Sequence, residues 1–150
     1  MFGFLLVVLF ATFGVAIGGW FRPPPNKPSP PPTYTDQQVA DAKVDVCAAY
    51  HEVRQALAIA GSRNGGGDPT ASLAVATSSR QALDVGSRYL LNKLADEPAA
   101  NVELTKAVRN LANVYLELTV SYLANANDSK IEQLRRSAEQ PTSTIDDLCK

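Results

Sequence analysis

From Thr35 onward, apolar residues recur every three or four positions, the spacing of one buried helical face. The first run is Val39, Ala42, Val46, Ala49/Tyr50, Val53, Ala56/Leu57 and Ala60. Thr35 and Gln38 stand at capping-box spacing before it, and Asp36 puts negative charge where the helix dipole favours it. Gly61 and the Asn64-Gly65-Gly66-Gly67 run end this helix. A second run, Leu73, Ala76, Leu83, Leu90 and Leu94, follows Asp68 as cap and Pro69 at the first helical position, where a missing N–H costs nothing. Gly86 interrupts it, at about 1 kcal/mol relative to Ala in an isolated helix. Asp96-Glu97-Pro98 is expected to close the second helix and open a third, carrying Leu104, Val108, Leu111, Tyr115, Leu118 and Tyr122. After Asn125-Ala126-Asn127-Asp128, Ser129 and Glu132 read as a capping box for a short helix with Ile131 and Leu134 facing in. Pro141 is expected to stop it, and a last turn from Ser143 to Cys149 returns Ile145 and Leu148 to the core. Three helices of similar length with short loops predict an all-α domain over residues 34–150. Its expected form is an antiparallel three-helix bundle with short C-terminal helices packed on it.

The front of the chain follows a different pattern. Residues 1–21 carry no charge and hold all five Phe and the only Trp. About 20 apolar residues suffice to cross a hydrocarbon core of ~30 Å, so residues 1–21 read as a transmembrane helix, followed by Trp20-Phe21-Arg22 at the interface. The alternative is a cleaved signal peptide, with Ala16-Ile17-Gly18 near its cleavage site. The run is longer than a signal core of roughly 7–15 residues, and no basic segment precedes it. Gly14 and Gly18 are one turn apart and form a candidate contact for a homodimer through the membrane helix. Arg22 to Thr33 holds seven of the ten prolines and reads as an extended stalk, about 35 Å long if fully stretched. Docking of a proline-binding partner is the other use of such a run.

Two cysteines stand near opposite ends of the domain, Cys47 on the first helix and Cys149 next to last. At 1.5 Å per residue Cys47 lies about 17 Å up its helix, and the descending C-terminal segment returns near that height. A disulfide between them is expected, which implies an oxidising compartment. Two unpaired thiols are the alternative. The positive-inside rule, applied to Arg22 and Lys27, points the domain to the cytoplasm. The cysteines point it outward. A native start upstream of Met1 carrying basic residues would reconcile the two.

Charge and motifs exclude more than they assign. The net charge is −1 and the basic residues are scattered among acidic ones, so no nucleic-acid footprint exists. His51-Glu52-Val53-Arg54 begins like a zinc-protease helix, but Arg54 stands where the second His belongs. Two Cys and one His do not make a zinc site, and no metal or cofactor is expected. Arg63-Asn64-Gly65-Gly66-Gly67-Asp68 lacks the Gly-Lys-Ser/Thr of a phosphate loop. No nucleophile, base and orienting acid can be assembled, so the chain is not expected to be an enzyme. Asn127-Asp128-Ser129 matches a glycosylation acceptor, though the same residues also explain a helix stop and start. Tyr50, Tyr89, Tyr115 and Tyr122 are the bulky aromatics expected near the bundle. They either fill the core or edge a ligand pocket.

Several segments carry a resemblance. These are Gly19-Trp20-Phe21-Arg22-Pro23, Pro32 to Lys43 with Cys47 following, Asn64 to Ala71, Tyr89-Leu90-Leu91 and Leu148-Cys149-Lys150. Together they resemble the alanine- and proline-rich, membrane-anchored conserved proteins of mycobacteria and related actinobacteria, a family without an established activity. The resemblance implies a cell-envelope location and paired cysteines, and supplies no active-site residues. The leading expectation is a single-pass, non-enzymatic envelope protein whose extracytoplasmic domain engages another envelope or membrane protein. The alternative is a small-ligand or lipid-binding helical module.

Overall fold

A computed structural model describes residues 32–150, of which Tyr34–Lys150 form one unit. The expected membrane helix at residues 1–21, Gly14 and Gly18 within it, and all but the last two stalk residues lie outside the described residues. Among the described residues no helix is long and apolar enough to cross a membrane. All regular structure in the unit is helical: α1 (Asp36–Ser62), α2 (Pro69–Asp96), α3 (Val102–Leu123), α4 (Asp128–Ser137) and α5 (Glu139–Leu148).

The helix ends follow local chemistry. Thr35 Oγ1 accepts from Gln38 N at 3.2 Å while Gln38 Oε1 accepts from Thr35 N at 2.9 Å, closing the capping box of α1. Asp68 Oδ1 accepts from Thr70 N at 2.9 Å, with Pro69 opening α2. In the loop between them, Gly66 and Gly67 take φ of +55° and +86°, a region that only glycine enters readily. Asn125 ends α3 at φ +53°, and two bonds, Ala126 N to Ser121 O and Asn125 N to Tyr122 O, close a Schellman turn there.

Three boundaries differ from expectation. Helix α3 opens at Asn101, whose Oδ1 accepts from Glu103 N at 2.7 Å, and not at Pro98. Helix α4 is capped by Asn127 through Lys130 N, two residues before the expected Ser129. Pro141 does not end α4. It sits in the first turn of α5, where backbone N–H groups have no intrahelical partner and none is missed. The expected final turn is therefore a full ten-residue helix.

That lengthening alters the architecture. Helix α2 packs on both α1 and α3, and α3 carries α4 and α5. Helix α5 lies against α3 and reaches α1 through Cys149, just past its end, which is bonded to Cys47 with 5.6 Å between Cα atoms. All five helices thus contribute to the core, α4 through Ile131 and Leu134. Tyr50, Val46, Leu90, Leu104, Val108, Leu111 and Ile145 are sealed from solvent at its centre, each aliphatic among them contributing roughly 1.5–3 kcal/mol. Small residues let α1 and α2 approach. Gly86 is buried against Val53, so close that a methyl group there would come within 2.7 Å of Val53 Cγ1.

Leu73, expected in the core, is instead 64 % exposed. Ser79 donates to Ala60 O at 3.4 Å, which fixes the relative height of the two helices. Helix α1 ends two residues after Ala60, whereas α2 extends ten residues above Ser79, about 15 Å. The first turns of α2 overhang the end of α1 and leave Leu73 without a partner.

Candidate functional site

The overhang and the shortness of α5 together open a cleft. Helix α1, with 27 residues, is about 40 Å long, while the ten residues of α5 cover about 15 Å. Beyond the reach of α5, the gap between α1 and α3 is left uncovered. The resulting cleft has a volume of about 480 Å³, within the roughly 300–1,000 Å³ typical of small-molecule sites. Ala76 and Leu83 of α2 line it, with Leu57 of α1 on one side and Tyr115, Leu118 and Tyr122 of α3 on the other. Gly61 adds no side chain to the α1 wall. Arg80 and Arg135 supply its two cations.

These two arginines converge on one ring. The Arg80 guanidinium lies 5.9 Å from the centroid of Tyr122, within cation–π range. Arg135 Nη2 donates to the Tyr122 hydroxyl at 2.8 Å. Arg135 also approaches Glu132 at 4.0 Å, a long, exposed pair of little energetic weight. Among the described residues no carboxylate lies within 4.0 Å of the Arg80 guanidinium. Deeper in the cleft, burial pushes the Tyr115 phenol above its usual pKa, so it is a neutral hydroxyl at physiological pH.

The four tyrosines singled out in the sequence are not all brought together. Tyr115 and Tyr122 border the cleft. Tyr50 is sealed in the core, and its hydroxyl donates to Asp146 Oδ1 at 2.7 Å while accepting from Arg54 Nη1 at 3.0 Å. Arg54 Nη1 also meets both oxygens of Asp146, at 3.2 and 3.0 Å. This clasp joins α1 to α5 beside the disulfide. Burial, the largest influence, pushes the Tyr50 phenol up to about 12. Tyr89 is 41 % exposed and donates to Glu52 Oε2 at 3.0 Å, tying α2 to α1 on the surface. Arg54, which breaks the zinc-protease pattern in the sequence, is thus a structural tie. His51 beside it is exposed.

Neither arginine of the cleft was selected by sequence reasoning. Arg135 is one of the basic residues scattered among acidic ones, and Arg80 stands between Ala76 and Leu83 at a gap in the apolar stripe of α2. Their convergence on Tyr122 becomes visible only once α2, α3 and α4 are packed. Among the described residues no group of three or more His, Cys, Asp or Glu could hold a metal ion. No protein-family model, curated protein or solved structure matches the chain.

Proposed function

We propose that this chain is a single-pass, non-enzymatic envelope protein whose stalked helical domain binds a small, largely apolar ligand in the cleft between α1, α2 and α3. The cleft is the observation that carries this reading. It is concave, lined mainly by Leu, Ala and Tyr, and has a few polar groups grouped at one place, the usual make-up of a ligand site. The uncharged segment 1–21 would anchor the chain in lipid and the proline-rich stalk would hold the domain off the bilayer. The Cys47–Cys149 disulfide supports an extracytoplasmic position, as does the resemblance to actinobacterial membrane-anchored proteins.

The test is native mass spectrometry of the full chain released from membranes. A small molecule should travel with the domain, and Ala76→Phe, which fills the cleft from the α2 side, should abolish it. Recovery of an adduct-free chain, together with no response to a neutral apolar fluorophore, would refute the reading. A second reading, docking of an envelope or membrane protein, is favoured by Leu116, Val120 and Leu123. They form an i, i+4, i+7 stripe on α3, and Val120 and Leu123 are 63 % and 71 % exposed. Cross-linking in intact membranes should then capture a partner through that stripe, and a chain that remains monomeric would count against it.

A further inference from the structure

We infer that the occupant of the cleft is a single-chain amphiphile with one anionic head group, held by Arg80, Arg135 and the hydroxyl of Tyr122. The inference rests on reading the cleft as a ligand site and adds the chemical class of the ligand.

The donor set is unbalanced. Arg80 is half-buried, and its guanidinium neither pairs with a carboxylate nor donates a hydrogen bond among the described residues. Arg135 uses one N–H on the Tyr122 hydroxyl. That hydroxyl accepts from Arg135, so its own O–H is free to donate. Guanidinium groups are donor-only, and the matching group is acceptor-only: a carboxylate, phosphate or sulfate. A half-buried cation without a counter-charge is costly, and an anion between the two arginines removes that cost. Tyr122 serves as the spacer, its face toward Arg80 and its hydroxyl toward Arg135.

The rest of the cleft is apolar. Leu57, Ala76, Leu83 and Leu118 offer a hydrocarbon surface and no further charge. One end of the ligand is therefore ionic and the other aliphatic. The volume, about 480 Å³, lies in the lower half of the range for small-molecule sites and suits one chain rather than two. Asp128 and Glu132 line a neighbouring depression of about 440 Å³ that shares Arg80, Tyr122 and Arg135 with the cleft. Neither lines the cleft itself, so a head group reaches the arginines from the apolar side. Glu132 is exposed and free to turn away from Arg135.

The experiment uses the full chain in phosphatidylcholine nanodiscs and a diazirine-bearing fatty acid, compared with its methyl ester. Labelled peptides are mapped by mass spectrometry. The acid should label the α1, α2 and α3 segments of the cleft about tenfold more than the ester, the factor that one charge-assisted hydrogen bond provides. Arg80→Gln and Arg135→Gln should each reduce acid labelling about threefold, and the double substitution should bring it close to the ester level. Equal labelling of the unaltered chain by acid and ester would overturn the head-group assignment while the cleft stands as a ligand site. Absence of cleft labelling by either probe would remove both proposals. Displacement of the acid by phosphatidylglycerol added to the nanodisc would overturn the single-chain assignment.

Discussion

Replacing Gly86 with Ala tests the packing of α1 on α2, because two opposing effects have known sizes there. In an isolated helix the change stabilises by about 1 kcal/mol. In this fold the new Cβ would lie 2.7 Å from Val53 Cγ1, and 3.7 Å from Val53 Cβ and Cγ2. Val53 cannot swing aside, since a helical valine has one strongly preferred rotamer. The helices must separate instead, and overpacking of this kind costs about 1–3 kcal/mol. The clash outweighs the propensity gain over most of that range, for an expected net loss of up to about 2 kcal/mol. The decisive comparison is Gly86→Ala in a Val53→Ala background. Val53→Ala alone removes two buried methyl groups and should cost roughly 2–3 kcal/mol with its cavity. It also removes the clashing atom, leaving a nearest neighbour at 3.7 Å, an ordinary contact. Gly86→Ala should then stabilise by up to about 1 kcal/mol, a reversal of sign. Urea unfolding of a chain spanning residues 34–150, followed by circular dichroism with the disulfide intact, measures all four corners of the cycle. Additive effects, or a higher midpoint for Gly86→Ala alone, would refute the packing argument.

Three further outcomes are expected. Cys47→Ser with Cys149→Ser should lower stability by about 3–5 kcal/mol, because the bond spans 102 residues and the chain-entropy value for such a loop is near 4.7 kcal/mol; urea midpoints with and without reductant check it. Tyr50 holds its proton to about pH 12 when folded and to about pH 10 when unfolded, so its contribution is complete below pH 10 and is lost as pH rises from 10 to 12. Unfolding at pH 9 and 11.5 should show the decline, and Tyr50→Phe should shrink it without abolishing it, since burial raises the Tyr115 phenol as well. Asn101→Ala should cost about 1 kcal/mol by removing the side-chain acceptor of Glu103 N, and would be neutral if α3 instead began at Pro98.

What the sequence disclosed follows the range of the forces involved. Capping is local, so Thr35, Gln38, Asp68 and Pro69 could be placed from residue order alone. The faces of α1 and α3 were legible because burial repeats with the helical period, from Ala42 to Ala60 and from Leu104 to Leu118. The Cys47–Cys149 bond was legible from counting helix rise. Misreadings occurred where a residue has two uses. Pro141 breaks a helix interior yet fits a first turn, and only the helix break at Ala138 decides between them. Asn127 and Ser129 are both competent caps, and the preceding Schellman turn at Asn125 selects the earlier one.

The cleft was not legible because no residue encodes it. It arises from differences in length and height: α5 is too short to fill the space beside α1, and α2 rises past the end of α1. The periodicity of α2 assigned Leu73 to the core, but periodicity specifies a direction around the helix axis and not what stands in that direction. The same limit hid Arg80. On its own helix it is one polar residue among Ser78, Ser79 and Gln81. It gains significance from Tyr122, 42 positions later, and from Arg135 beyond that, all three meeting where α2, α3 and α4 come together. The tyrosines could be noticed as a set because aromatic residues are few in this chain. Packing then divided them, sending Tyr50 to a clasp with Arg54 and Asp146, Tyr89 to the surface, and Tyr115 and Tyr122 to the cleft. That division separates fixing α5 in place from lining the space it leaves open. Tyr50→Phe should therefore lower stability while leaving uptake of the fatty-acid probe intact, whereas Tyr122→Phe should weaken uptake by removing both the Arg135 acceptor and the free O–H donor. If the two substitutions affected stability and uptake alike, the assignment of separate roles would be lost.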